Sequence, residues 1–309
     1  MLVTQTLTSL GMLFLLMIPG FIFKKKNVLD EKQNNALNSF VVHVTWPCLV
    51  IDAMQIQFNH EILINCGNMV VKMLLIFAVL GVVCVLAARI FHFSPSKREL
   101  FLFMAIFGNT GFVGMPIIDA LYGKEALFYA SVIEAANDVL IFTVGMILIQ
   151  KSAGAQVKLE LKQFINPCFI GSIVGILLFL FKIRLPEVIG QPVELLANAT
   201  APIAMTVLGF QLGDLSFKKI AKDVSCYVTV ITKLVAAPLV ALLVIKLWSG
   251  VGIIDKTLVI DMGMPVAVMA TLLGQRYGGD VELPTKSVLL STISLVVTIP
   301  AFAVLLETV

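Results

Sequence analysis

The sequence predicts an all-α polytopic membrane protein: ten transmembrane helices arranged as two inverted five-helix repeats. Three observations predict it. Hydrophobic residues make up 59% of the 309 and charged residues 13%, about half the roughly 25% of soluble domains, with a mean hydropathy of +1.00. The apolar residues fall in blocks of about 20, the length of a membrane-crossing helix, rather than in the short alternating segments of a barrel. Finally, loop charge alternates along the chain, and two proline motifs recur in the same order in its two halves.

Taken in order, the helices are expected near 1 (3–23), 2 (34–56), 3 (66–92), 4 (98–122), 5 (125–150), 6 (165–184), 7 (187–212), 8 (224–248), 9 (254–276) and 10 (284–307). No Lys or Arg precedes the first apolar block, and Lys24, Lys25 and Lys26 follow it, so it reads as a retained first span rather than a cleaved signal. The connections after odd-numbered helices carry fifteen basic residues, among them Lys97, Arg98, Lys151, Lys162, Lys218, Lys219 and Lys222. Those after even-numbered helices carry four: Lys124, Lys182, Arg184 and Lys256. Cytoplasmic loops concentrate Lys and Arg, which places the odd loops inside and both termini outside.

Thr45-Trp46-Pro47 in helix 2 is matched by Thr200-Ala201-Pro202 in helix 7, and Gly114-Met115-Pro116 in helix 4 by Gly263-Met264-Pro265 in helix 9. Five helices per half force the halves into opposite orientations. Residues 1–150 form the first repeat and 165–309 the second, inverted one. Inverted repeats with interrupted helices at matching positions suit a carrier with its site near the bilayer midplane.

Helix 4 contains Gly108, Gly111, Gly114 and Pro116 within nine residues, a composition that does not hold a regular helix. Pro116 and Pro265 are each expected to open a second half-helix, because proline suits a first helical position. Two such N-termini would offer N–H groups and partial positive charge to an anion. Glycine and proline also mark plain kinks and close packing in membrane helices. Asn109 adds an amide and Thr110 a hydroxyl at the break.

Charges inside spans are costly and point to function. Glu134, Asn137 and Asp138 share a face of helix 5, at spacings of three and four. They read either as a proton or small-cation site or as structural hydrogen bonding. Asp261 lies four residues before Pro265. Lys233, about a third into helix 8, pairs with a carboxylate, attracts an anionic substrate or snorkels to the surface. Asp119, Lys72 and Lys246 sit closer to the membrane edges and read as interfacial. Five scattered cysteines read as small apolar packing residues rather than metal ligands or disulfides, the three histidines are equally scattered, and no metal is expected. No basic run suggests nucleic acid. The motifs of zinc proteases, serine hydrolases and P-loop ATPases are absent from the sequence, which argues against an enzyme and against an ATP-driven pump within this chain.

Asn109-Thr110-Gly111-Phe112-Val113-Gly114-Met115-Pro116 is the most specific of these pieces. With Lys233-Leu234 and Pro238, Ser291-Thr292-Ile293-Ser294, Thr298-Ile299-Pro300, Asn166-Pro167 and Leu208-Gly209, the whole chain resembles the auxin efflux carrier family, whose bacterial members include malate and malonate permease-like proteins. The resemblance implies a bile-acid-symporter-like fold in which broken helices 4 and 9 cross. Helices 1, 2, 6 and 7 would form a scaffold that makes a homodimer, and helices 3–5 and 8–10 a transport domain. It implies an elevator-type secondary carrier of small organic anions in the cytoplasmic (plasma) membrane, with no cofactor and with possible H+ or Na+ coupling. The substrate carboxylate would sit at the crossing among Asn109, Thr110, Gly111, Pro116, Gly263 and Pro265; Asn109 occupies the position of an asparagine that helps bind the carboxylate in plant members. Glu134, Asn137, Asp138, Asp261 and Lys233 are the coupling candidates read from the spans. The chain departs from plant members in lacking their long hydrophilic loop and in carrying Asp261 where they have a glutamine-type residue. A sodium-coupled carrier of larger amphipathic anions, or a non-transporting sensor on a carrier fold, remains as an alternative.

Overall fold

Long apolar runs punctuated by proline dictate helices with local irregularities, and the computed structural model has this character. It describes residues 2–158, 166–213, 223–248 and 252–308. The expected loop residues Lys162, Lys218, Lys219 and Lys222 lie outside the described residues. In chain order the α-helices are α1 (Leu2–Leu15), α2 (Met17–Lys25), α3 (Glu31–Phe40), α4 (Trp46–Ala53), α5 (His60–Ile90), α6 (Pro95–Ile106), α7 (Met115–Leu140) and α8 (Met146–Ser152). They continue with α9 (Pro167–Leu180), α10 (Glu187–Leu212), α11 (Val224–Ile231), α12 (Ala237–Trp248), α13 (Ile253–Met262), α14 (Met269–Arg276) and α15 (Glu282–Thr308). Among the described residues seven helical runs are long and apolar enough to cross a membrane, and Pro167–Leu180 is a shorter apolar helix. One of the seven, Thr110–Ser152, is 43 residues long and bends at Gly123, whose φ of 77° only glycine adopts readily. Large apolar side chains such as Val188 and Leu247 are 86% and 80% exposed, which suits a lipid surface and not water.

Among the described residues four π-helical turns interrupt the helices: Val41–Thr45, Thr110–Gly114, Ile141–Gly145 and Thr232–Ala236. Three of them end two residues before a proline: Pro47, Pro116 and Pro238. Proline cannot donate to the carbonyl four residues back, and its ring collides with it. A widened turn, as in the Trp46 N–H to Val41 carbonyl bond, relieves the collision without ending the helix.

The described chain divides into two compact units that do not follow the sequence halves. The first comprises Met1–Asn68, Gly111–Ala135 and Gln163–Leu215, the second Met69–Thr110, Ala136–Lys162 and Ser216–Val309. In the first unit α2 and α10 approach through glycines: a Cβ on Gly20 would lie 1.8 Å from the Thr206 carbonyl oxygen, and one on Gly209 1.9 Å from that of Met17. Backbones approach this closely only where side chains are absent. Gly171 and Gly175 of α9 likewise face Pro47 of α4 and Met54 just past its end. Asp30 caps α3 in a reciprocal box with Gln33, and Asn166 opens α9 by accepting from the Phe169 N–H at 2.9 Å.

The second unit has a core of Phe101, Phe103, Phe107, Met73, Ile76 and Leu80, all almost fully buried. Lys72 corrects its interfacial reading. It is buried, and its ammonium lies 2.6 Å from Asp255, at the start of α13. The partner stands 183 positions away in sequence, out of reach of any local pattern. Lys246 and Asp119 are exposed.

Candidate functional site

The site is built where α6 ends. Phe107 turns extended (φ −90°, ψ 124°), Gly108 pairs antiparallel with Val266, and the helical path resumes at Thr110. The other interrupted segment leaves the helix after Met262 and resumes at Met269. The Asn109 N–H donates to the Pro265 carbonyl at 2.7 Å, and the Ala267 N–H to the Phe107 carbonyl at 3.4 Å. The Val266 N–H donates to Ser291 Oγ at 3.0 Å. Each break thus meets hydrogen-bonding needs that hydrocarbon would leave unmet. Pro116 stands at the second position of α7, behind the π-helical turn Thr110–Gly114. Pro265 does not open a half-helix: it lies in the extended crossing itself, four residues before α14 begins.

Directly beneath the crossing is Lys233. It is fully buried, which excludes the snorkelling alternative. Its ammonium donates to the carbonyl of Ile106, the last residue of α6, at 3.0 Å, where a helix end carries partial negative charge. Gly108 makes room for it: a Cβ there would stand 2.9 Å from Lys233 Cε and 3.0 Å from Nζ. Asp261, 3% exposed, lies within electrostatic reach of the same ammonium. Around this pair Gly263, Met264 and Pro265 are buried, whereas Asn109 is only partly so.

Asn137 of α7 donates through Nδ2 to Thr110 Oγ1 at 3.3 Å, and no partner among the described residues reaches its Oδ1. The second unit therefore brings together Asn109, Thr110, Asn137, Lys233, Asp261, Gly263 and Pro265. Gly111, Pro116 and Glu134 belong to the first unit, and Asp138, in the second, is half-buried. In the first unit a Cβ on Gly111 would lie 2.9 Å from Glu134 Oε1 and 3.0 Å from Trp46 Nε1. Trp46 is 1% exposed, and its indole N–H has no acceptor among the described residues.

Two residues here escaped the sequence reading. Ser291 was visible only as part of a motif, and nothing local signals that its hydroxyl caps a strand-like crossing. Trp46 stands in one of the repeated Thr-x-Pro motifs where the other has Ala201; that asymmetry was the available signal. The two motif threonines, Thr45 and Thr200, are both fully buried.

The arrangement can hold an anion. It offers a buried ammonium, a side-chain amide, a hydroxyl and a helix restart whose first N–H groups have no partners within their own helix. Comparison with known proteins agrees with a carrier. A family model described as membrane transport protein matches residues 6–303. An uncharacterized transporter of Methanocaldococcus jannaschii is 24% identical over 285 residues, which is 90% of this chain and 91% of that one. A Rhizobium meliloti protein whose name provisionally assigns it to malonate transport is 22% identical over 285 residues, 88% of this chain and 86% of its own. A mouse protein named lysosomal cholesterol signaling protein is 24% identical over 324 residues, with 94% of this chain matching 36% of that protein. With the family model spanning nearly every residue, the chain belongs to this family of membrane transport proteins, the auxin efflux carrier family.

Proposed function

We propose that the chain is a secondary active transporter of small organic anions, carboxylates such as malate or malonate, across the cytoplasmic membrane. In this reading ten transmembrane segments form two inverted repeats with both termini outside; to the seven long runs are added α9, a broken helix entered through α6, and a second broken helix made of α13 and α14. The chain forms a homodimer through helices 1, 2, 6 and 7. Helices 3–5 and 8–10 carry the substrate by elevator-type alternating access.

The observation that carries this reading is the fully buried Lys233 ammonium beneath the crossing. A charge in that position is expensive unless it is compensated. In the empty carrier Asp261 offsets it. A substrate carboxylate entering beside Asn109 and Thr110 brings a second negative charge to one positive charge. The low-dielectric site tolerates this if one carboxylate takes up a proton, so Asp261 is the coupling group and the substrate travels with H+. The relative named for malonate supports the substrate class.

Proteoliposome uptake of radiolabelled malonate tests the proposal, with an imposed pH gradient in one arm and a sodium gradient in the other. Saturable uptake driven by the pH gradient, and uptake in Asp261→Asn that no longer responds to it, is the expected outcome. Uptake that follows sodium alone would replace the proton reading with the sodium one.

A further inference from the structure

Away from the crossing, the first unit contains a cleft of about 240 Å³ at the ends of α4 and α9. Met54, Phe58 and Phe179 form apolar walls, and Gln57, Lys182 and Arg184 supply its polar groups. The volume is below the roughly 300–1,000 Å³ of pockets that enclose a drug-sized ligand. It suits one headgroup-sized moiety.

Its geometry is set by the turn after α9. Lys182 adopts a left-handed backbone conformation, φ 58°, and its ammonium lies over the Phe58 ring, 4.7 Å from the centroid. Phe58 in turn packs on Phe179 at 5.3 Å. Arg184 donates to the Gln55 carbonyl, and the Leu185 N–H donates to Gln55 Oε1 at 2.9 Å. The turn is therefore pinned to the end of α4.

Its electrostatics are unbalanced. Two cations border the cleft, and among the described residues neither has a carboxylate partner. The ends of α4 and α9 contribute partial negative charge, which offsets a fraction of it. Neighbouring Leu177, Leu180, Phe181 and Ile183 expose large apolar surface. α4 ends a membrane-long run and α9 is a shorter apolar helix, so their ends lie at the boundary between hydrocarbon and headgroups, where two adjacent cations attract an anionic headgroup by charge.

We propose that this cleft is a binding site for the phosphate headgroup of an anionic phospholipid. Lys182 and Arg184 hold the phosphate, Gln57 reaches the polar headgroup, and the exposed apolar residues beside the cleft take the acyl chains. The site shares no residue with the crossing, so its test is separate from that of the anion site, although α4 and α9 belong to helices 2 and 6 of the scaffold proposed above.

Native mass spectrometry of the purified full chain, titrated with phosphatidylglycerol or phosphatidylcholine, tests the proposal. Phosphatidylglycerol adducts are expected to persist preferentially, and to fall about tenfold or more in Lys182→Gln/Arg184→Gln, which removes two surface cations. Leu178→Trp, which fills the cleft and leaves both charges in place, is expected to reduce the same adducts. Should the double variant fail to fold, the Leu178→Trp result decides. Equal retention of the two lipids overturns the proposal, as does full retention by the variants. Competition by inorganic phosphate alone overturns it in favour of a free-anion site.

Discussion

The ammonium of Lys233 donates to the carbonyl of Ile106, 3.0 Å away, and so closes the end of α6 at the residue before the chain departs from the helical path. One side chain thus serves both the fold and the charge of the crossing. Lys233→Met leaves the Ile106 carbonyl and Asp261 without it. The variant is expected to lose about 1–3 kcal/mol of stability, the usual cost of leaving a buried polar group unsatisfied, read as a fall in the thermal midpoint of the detergent-purified protein. Lys233→Met/Asp261→Asn should regain most of that loss while malonate uptake stays absent. Recovery of uptake in the double variant would show that the pair is only structural.

Lys72 and Asp255 form a buried ion pair in the same unit, at 2.6 Å. Lys72→Met is expected to destabilise by about 3–5 kcal/mol, the usual cost of breaking a buried charge pair. Asp255→Asn added to it should cost less than the two single losses combined, a non-additivity that a double-mutant cycle measures directly. Additive losses would mean that the two side chains do not interact.

Glycines differ sharply in what they make room for. Gly209→Ala drives a methyl against the Met17 backbone oxygen, at 1.9 Å, and backbone cannot swing aside. It should destabilise by about 1–3 kcal/mol or more, the range for overpacking. Gly263→Ala meets nothing closer than 3.4 Å and should change the thermal midpoint much less. Equal shifts would contradict the close approach of α2 and α10.

Trp46→Phe removes an indole N–H that has no acceptor among the described residues and keeps most of the ring. Stability should hold or rise slightly, because no hydrogen bond to the protein is lost. A clear fall in the thermal midpoint would show that the N–H has a partner.

Much of this was legible in the sequence. Hydropathy placed the helices to within several residues, and Gly108, Gly111, Gly114 and Pro116 marked a break that the chain does make. The place where the helix resumes was not legible. A proline was expected at each restart: Pro116 does stand in the first turn of α7, but a π-helical turn has already resumed the helical path at Thr110, and the hydrogen bond from Asn109 with the pairing of Gly108 and Val266 keeps Pro265 extended. Both outcomes depend on partners brought from elsewhere in the fold: Asn109 meets Pro265, and Ser291 meets Val266. Lys72 was misread for the same reason. Its position looked interfacial, and only the approach of Asp255 makes it a buried pair. Lys233 had three readings at sequence level, and its burial removed one of them.

Asn109 gives the most direct test of the central claim. Its backbone N–H already serves Pro265, so truncating the side chain should spare the crossing and remove only the amide offered to a substrate. Saturable uptake of malonate into proteoliposomes is expected for the wild-type chain. Asn109→Ala is expected to lose that uptake with an unchanged thermal midpoint. Normal transport by Asn109→Ala, or no organic-anion uptake by the wild-type chain, would contradict the account.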